Sequence, residues 1–354
     1  MSSPWAIELV LAAFAGGMFG AAVGALQSFA LAGLVVVVGE LYALAVETVG
    51  GTPVVDVTGS IAFGPVLGPH VAFAGGAGAV AYAARKGYLD ADFDYHPAKN
   101  VTTGLGSRPD VLAVGGIFGV VGHLVTAGSG ALAAPVDPVA LGVVGSAFAH
   151  RLALGYSVVG ARPGRLLDMS PFEARVAADG GGDGAGGETV GDSGHAVEPW
   201  LPYQYRWAHV AVLGVAMGAL GGYVAYVTAS PFLAFGISVV ALAFLCAGVA
   251  DIPVTHHMTL PASTAALALV DAPAAALTPT LVHESLALGP VLLVGVAFGL
   301  VGALAGEFLQ RGLYAHAETH LDPPAASIVV TSGVVAALAL VGVLPTAAWV
   351  PLPT

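Results

Sequence analysis

Long apolar runs dominate the chain, and short polar segments separate them. A helix needs ~20 mostly apolar residues to cross a bilayer, and runs of that length without strand alternation favour helices. The pattern predicts an all-α polytopic membrane protein with about nine transmembrane helices. The predicted spans are 5–26, 29–47, 70–84, 111–132, 138–159, 207–228, 232–249, 286–309 and 327–344.

Two further apolar stretches are too interrupted to be ordinary spans. Residues 51–69 are short and broken by glycine and proline, and residues 262–282 are interrupted by Asp271, Pro273 and Pro279. A proline inside a helix removes a backbone hydrogen bond and clashes with the preceding turn. We interpret both stretches as re-entrant or broken elements, and the sequence leaves open whether 262–282 crosses the bilayer.

A ten-residue sequence occurs twice in the chain. Residues 64–73 read GPVLGPHVAF and residues 289–298 read GPVLLVGVAF, with seven identical positions. Residues 53–56 and 253–256 match in the same order, and so do the starts of the first and sixth spans. These matches indicate the duplication of one ancestral unit.

The matches pair four spans on each side of an unpaired fifth span, which gives a 4+1+4 plan. Five crossings then separate the two repeat starts, and an odd number inverts the second copy, as in many secondary transporters. The acidic, Gly-rich centre of the linker has too few apolar residues to fold. The predicted parts are a first membrane repeat (1–134), a linking span (135–160), a soluble, partly disordered linker (161–206) and a second membrane repeat (207–354).

Composition strengthens the membrane prediction. Hydrophobic residues make up 57% of the chain and charged residues 9%, where a soluble domain carries ~25% charged residues. The mean hydropathy is +0.87. The formal net charge of −12 resides mainly in the loops, which suits a salt-rich cytoplasm and argues against nucleic acid as a partner. The single cysteine excludes an internal disulfide.

Basic residues indicate the orientation in the membrane. They fall mainly in loops 85–110 and 162–206, which share one side in the nine-span plan, while Arg311 stands almost alone on the other side. Cytoplasmic loops carry an excess of lysine and arginine. We therefore expect a cell-membrane protein with its N-terminus outside, and with the C-terminus and the 161–206 linker in the cytoplasm.

Asp56 and His256 are the most distinctive pair of polar residues. They are counterparts in the repeat alignment, and each follows a proline by three residues. Such positions approach each other near the midplane of an inverted repeat, where a carboxylate and an imidazole could bind a cation or relay a proton. A position at the membrane interface is the alternative. We predict that Asp56→Asn abolishes transport or ion binding in a protein that still folds.

Other polar residues near the broken elements extend this candidate site. Hydroxyl groups beside broken backbone suit ion coordination, although they equally suit helix caps. A glutamate deep in the second span needs a partner or a cavity. The candidate substrate- or ion-binding residues are Asp56, His256, Thr58, Ser60, His70, Thr255, Glu284 and Glu40.

Metal binding has weaker support in the sequence. His256, His257, His283 and Glu284 offer suitable ligand types, but their spacing matches no standard zinc motif. A second polar cluster, 316–322, contains two histidines and two acids. No catalytic motif is present, so we expect no enzyme, no firm metal site and no cofactor beyond a coupling cation or proton.

The leading hypothesis is a secondary, ion-coupled transporter or permease that moves a small solute or ion through a midplane site. The alternatives are an ion channel of the same architecture, a membrane-embedded metalloenzyme and a non-catalytic membrane assembly subunit. The expected partners are the lipid bilayer and the small solute or ion. A homo-oligomer stays open, because glycine-lined helix faces can pack within one chain or between chains.

Two motifs carry a resemblance to known sequences. GPHVAFAGG begins at residue 68, and YHPAKN follows at residue 95. Together with the glycine-rich first span, they make residues 5–125 similar to a family of prokaryotic multi-pass membrane proteins without assigned function. The resemblance implies a membrane protein and adds neither a substrate nor a mechanism.

Overall fold

The computed structural model describes residues 3, 5–89, 95–160, 164–178 and 197–353. Every regular element within these residues is a helix. The α-helices are α1 (Ile7–Val23), α2 (Ala25–Thr48), α3 (Ala72–Arg85), α4 (Pro109–Ala131), α5 (Pro138–Ala153), α6 (Ser170–Ala178), α7 (Trp207–Thr228), α8 (Leu233–Val240), α9 (Leu242–Cys246), α10 (His256–Leu267), α11 (Pro279–Ser285), α12 (Leu288–Leu309) and α13 (Pro323–Leu340). The Gly-rich centre of the predicted linker, which was expected to be disordered, falls within 179–196 and so lies outside the described residues.

Among the described residues, five helices are long and apolar enough to cross a bilayer: α2, α4, α7, α13, and α12 extended by a π-helical turn to Tyr314. Three shorter apolar helices accompany them, namely α1, α5 and the α8–α9 pair. Large apolar side chains such as Leu34, Leu293 and Phe308 are exposed on these helices. Exposed apolar faces on helices of this length indicate a polytopic membrane protein.

The first predicted broken element has an irregular structure. A short π-helix, Thr58–Ala62, is followed by turns, and α3 begins only at Ala72. The second element also contains a break, because α10 ends at Leu267 and α11 begins at Pro279. The prediction began this element at residue 262, but α10 begins at His256 and all of its residues are buried.

The structure does not reproduce the pairing based on the ten-residue match. Residues 64–71 form non-helical turns before α3, whereas residues 289–298 lie inside the long helix α12. Both segments are rich in glycine, alanine and valine. Because so few residue types make up these segments, identical positions arise without a shared conformation.

The first half (5–160) and the second half (197–353) meet along two pairs of helices. Gly33 of α2 packs against Val239 of α8, and Gly236 of α8 packs against Val36 of α2, so these helices run antiparallel. The start of α5 lies beside the middle of α13, where the Asp137 amide donates to the Ser332 hydroxyl at 2.8 Å. Residues from both halves share the largest apolar core cluster.

Basic residues gather at one end of the helix bundle, which we call the basic end. Arg85 at the end of α3 donates to the Gly155 carbonyl after α5, and Arg311 after α12 donates to the Tyr205 carbonyl before α7. The expected position of Arg311 on the opposite side is therefore wrong. The described basic residues at this end are Arg85, Lys86, Lys99, Arg108, Arg151, Arg165, Arg175, Arg206 and Arg311.

The start of α1 and the end of α13 lie at the opposite end of the bundle. Trp5, before α1, lies beside Gly128 near the end of α4. Gly333, in the second part of α13, lies beside Val136 just before α5. Since the α4–α5 connection joins these two places, α13 ends where α1 begins. The first helix thus begins at the end of the bundle where the last helix finishes, whereas the expected orientation placed the two termini on opposite sides of the membrane.

Candidate cation-binding cavity

A cavity of about 350 Å³ lies between the two halves. The first half contributes α2, the π-helical segment, the start of α3 and the start of α5 to its wall. The second half contributes α8, α10, the start of α13 and the C-terminal segment around Trp349. A cavity of this size between helices is typical of a small-molecule site.

Glu40 and Asp56 are the more exposed carboxylates of the cavity, so we infer that its mouth lies beside them. Glu40 accepts hydrogen bonds from the hydroxyls of Thr58 at 2.6 Å and of Ser230, so it links the two halves. Asp56 accepts a hydrogen bond from the Gly59 amide at 2.8 Å and is exposed. The glutamate in the second span thus has both the partners and the cavity that its depth requires.

Asp137 and Asp322 are the buried carboxylates of the cavity, and each caps the helix that follows it. Asp137 accepts from the Val139 amide at 2.8 Å, and Asp322 accepts from the Ala325 amide at 2.8 Å. Each is followed by a proline at the first helical position. The sequence prediction did not select Asp137, although an Asp-Pro pair before an apolar run is a recognisable helix start.

His256 lies in the cavity wall and is 2% exposed. Its Nδ1 has no hydrogen-bond partner among the described residues. Its ring contacts the edges of Phe29 at 5.1 Å and Phe235 at 5.7 Å, measured between ring centroids. The aromatic residues of the wall are Phe29, Phe63, Phe73, Phe232, Phe235 and Trp349.

The described Asp, Glu, Lys and Arg side chains that line the cavity are all carboxylates. Glu40, Asp56, Asp137 and Asp322 line it, and no lysine or arginine among the described residues does. Their identified hydrogen-bond donors are amides, hydroxyls and one imidazole. A carboxylate in a poorly solvated site is stabilised by a nearby cation. The arrangement therefore suits a cationic ligand.

The comparisons with known proteins identify a family but no activity. The model of a family of unknown function, DUF7973, matches residues 1–353. The chain belongs to the DUF7973 family. No curated protein and no solved structure matches it. The predicted membership of a family without assigned function agrees with this result, while the two motifs behind the prediction stay unconfirmed.

Half of the predicted site residues line the cavity of this DUF7973 chain. Asp56, His256, Thr58 and Glu40 do so. The other four lie elsewhere, for different reasons. Ser60 is exposed on the π-helix, His70 is buried just before α3, Thr255 is buried at the start of α10, and Glu284 is exposed on α11.

The structure separates the weak metal candidates of the DUF7973 chain. His256 and His257 are buried neighbours whose ring centroids lie 6.0 Å apart. His283 is exposed on α11 and packs against Tyr226 at 4.6 Å. Within the described part of the chain, no three His, Cys, Asp or Glu side chains gather closely enough to hold a metal ion.

Beyond the cavity, the basic end of the DUF7973 chain holds a buried polar network. Asp322 faces His320, whose Nε2 lies 3.5 Å from its Oδ1. Lys99 pairs with Glu198 at 2.7 Å. Burial lowers the pKa of Lys99, and the Glu198 carboxylate counteracts this shift.

A second buried ion pair belongs to the same network. Arg311 pairs with Glu307 one helical turn earlier. Both residues are buried, so the pair lies in the packed interior of the basic end.

Proposed function

We propose that the protein is a secondary transporter whose substrate site is the cavity between the two halves. The cavity supports this function because both halves build its wall and because its polar groups lie between helix starts and broken elements. Broken helices at the interface of two halves are how many secondary transporters expose backbone and side-chain groups to substrate. The sequence contains no phosphate-binding loop, so an ion gradient or a partner ATPase would drive transport.

Equivalent contacts within the two halves support an inverted repeat of five elements each. Gly17 of α1 packs against Gly115 of α4, and Gly218 of α7 packs against Gly295 of α12. Both are close antiparallel contacts between the first helix of a half and a later one. They pair α1 with α7 and α4 with α12, instead of pairing α3 with α12 as the sequence match did.

A second set of contacts pairs the shorter helices. Gly122 of α4 packs against the carbonyl of His70, and Gly302 of α12 packs against the carbonyl of His257. This equivalence pairs α3 with α10. The start of α5 then corresponds to the start of α13, and Asp137 corresponds to Asp322. In this arrangement, counterparts from both halves supply the two buried carboxylates of the cavity.

The five-element repeat fixes a topology in our proposal. The first half crosses the membrane through α1, α2, α3, α4 and α5, and the second half through α7, α8–α9, α10, α12 and α13. Five crossings invert the second half. The positive-inside rule then places the basic end in the cytoplasm and both termini outside the plasma membrane, with the cavity open to the outside.

Accessibility of engineered cysteines tests this function without a known substrate. In a Cys246→Ala background, Ala140→Cys lies in the cavity wall, whereas Ala326→Cys lies outside the wall, in the buried apolar cluster that also contains Ala147 and Leu321. Val49→Cys and Ser107→Cys are exposed controls for the two sides. The reagent is a membrane-impermeant methanethiosulfonate, applied separately to each side of oriented vesicles.

A transporter exposes its site to each side in turn. We expect Ala140→Cys to react from the Val49 side and Ala326→Cys to react slowly from the Ser107 side. Simultaneous reaction of both from either side would indicate a channel. Failure of Ala326→Cys to react from the Ser107 side, while the Ser107 control reacts, would contradict transport and favour an assembly or binding subunit.

A further inference from the structure

We infer that the ligand of the cavity is a monovalent organic cation, an amine with a compact apolar body. This inference deepens the proposed function and rests on the same cavity, but it concerns binding and not movement. It depends on three features of the wall: its charge, its aromatic lining and its lack of a metal-coordinating cluster.

The carboxylates of the wall differ in their exposure to solvent. Asp56 is exposed at the mouth, whereas Asp137 is 6% and Asp322 is 8% exposed. Attraction between charges strengthens as water is excluded, so a cation gains most beside the two deep carboxylates. His256, buried in the same wall with an unpartnered Nδ1, is a second sign that the polar lining is incomplete without a ligand.

The aromatic lining favours an organic cation over a hydrated ion. Phe29 packs against Phe73 at 5.9 Å and Phe235 at 6.2 Å, and Phe232 packs against Trp349 at 5.0 Å between centroids. Aromatic faces attract cations and accommodate apolar groups, which a hydrated inorganic ion does not offer. A cavity of about 350 Å³ has the volume of about a dozen water molecules, since each occupies ~30 Å³ in the liquid.

The carboxylates are too dispersed to coordinate a bare metal ion. Calcium takes about six to eight oxygen ligands at short distance, and magnesium needs near-octahedral geometry. In the part of the chain that the structure describes, no cluster of three potential ligands is present. One ammonium group needs only one or two carboxylates, while its apolar body occupies the aromatic part of the cavity.

Binding to the purified protein tests the ligand class. The probes are phenethylammonium, its neutral analogue 2-phenylethanol, its anionic analogue 3-phenylpropanoate, and sodium or magnesium chloride alone. The readouts are the dissociation constant from tryptophan fluorescence, to which Trp349 in the wall contributes, and the melting temperature. We expect phenethylammonium to bind about tenfold more tightly than 2-phenylethanol, a difference within the range of a desolvated cation–aromatic contact.

The key variant is Asp322→Asn, because asparagine caps a helix as well as aspartate does and removes only the charge. It should fold normally and bind phenethylammonium about tenfold more weakly, as expected from the loss of a close opposite charge. Glu47→Gln is the matched control, since Glu47 is exposed on α2 outside the cavity. This variant should bind phenethylammonium as the wild type does.

Several results would overturn the inference. These are equal or tighter binding of 2-phenylethanol or 3-phenylpropanoate, unchanged phenethylammonium binding in Asp322→Asn, no binding of phenethylammonium, or stabilisation by the metal salts only. A different result would overturn the transporter proposal. If phenethylammonium binds as expected while Ala326→Cys never reacts from the Ser107 side, the ligand class stands and transport does not.

Discussion

At the basic end, the buried cations Lys99, Arg151 and Arg311 all meet oxygen atoms of the chain. In the cavity, buried carboxylates such as Asp137 and Asp322 receive hydrogen bonds from neutral amides, and no described lysine or arginine joins them. A buried charge is costly unless it is paired. The buried cations of the basic end therefore hold the halves together through carboxylates and carbonyls. The cavity carboxylates meet only amides, hydroxyls and the His320 imidazole, and in our proposal the ligand supplies their cationic partner.

The largest expected effect is the loss of Arg151 from the basic end. This arginine is fully buried and donates to the Thr319 hydroxyl at 2.9 Å, the Leu313 carbonyl at 2.8 Å and the Thr319 and Val158 carbonyls. Arg151→Met leaves these acceptors unsatisfied, and each costs about 1–3 kcal/mol. We expect most of the protein to aggregate in size-exclusion chromatography.

Arg108 supplies the control for this experiment. Its side chain is 54% exposed and its pairing with Asp110 is loose at 3.7 Å. Arg108→Met should elute and melt like the wild type, because exposed ion pairs contribute little. An Arg151→Met protein with a wild-type melting temperature would show that the basic end does not depend on its buried charges.

The next largest effect concerns the Lys99–Glu198 pair. Lys99→Met should destabilise the protein by about 3–5 kcal/mol, because it leaves a carboxylate buried without its cation. Combining it with Glu198→Leu should restore part of that loss, since the double variant buries no charge. Chemical denaturation of the wild type, both single variants and the double variant measures the coupling. If the two stability losses simply add in the double variant, Lys99 and Glu198 do not stabilise each other.

The helices themselves could be predicted from the hydrophobic pattern. The sixth predicted span, 207–228, has the bounds of α7, and the predicted span 138–159 begins where α5 begins. Apolar length is a local property, so it is readable without knowledge of contacts. The helix α10 is the exception, because its twelve residues include two histidines and a proline and its burial comes from neighbouring helices.

The position of Arg311 at the basic end and the pairing of elements that we propose could not be predicted in the same way. Both depend on whether the segment around α10 crosses the bilayer. If one crossing is added or removed there, every later loop is assigned to the other side of the membrane. Asp137 was missed because it stands in a short connection between spans and resembles an ordinary loop residue. Only the contact between α5 and α13 brings it to the interface of the two halves.

Glu40 is intermediate between the buried cations of the basic end and the buried carboxylates of the cavity. It is half-buried, and hydroxyls from both halves donate to it. Glu40→Gln keeps an acceptor oxygen and removes the charge, so we expect less than about 1 kcal/mol of destabilisation and about fivefold weaker phenethylammonium binding. Unfolding and binding titrations of the same preparation check both values. A large loss of stability with unchanged binding would assign Glu40 to the packing of the halves.

Asp56→Asn should have the smallest effect, in contrast to the expectation from the sequence. The carboxylate was predicted to act at the midplane, but it is exposed at the mouth and caps the π-helical segment through the Gly59 amide. Water and salt screen an exposed charge, and asparagine preserves the cap. We expect about twofold weaker phenethylammonium binding or less, which vanishes at high salt. A loss of phenethylammonium affinity as large as that of Asp322→Asn, persisting at high salt, would instead mean that Asp56 contacts the bound cation directly. The cation-binding carboxylates would then include the one at the mouth of the cavity.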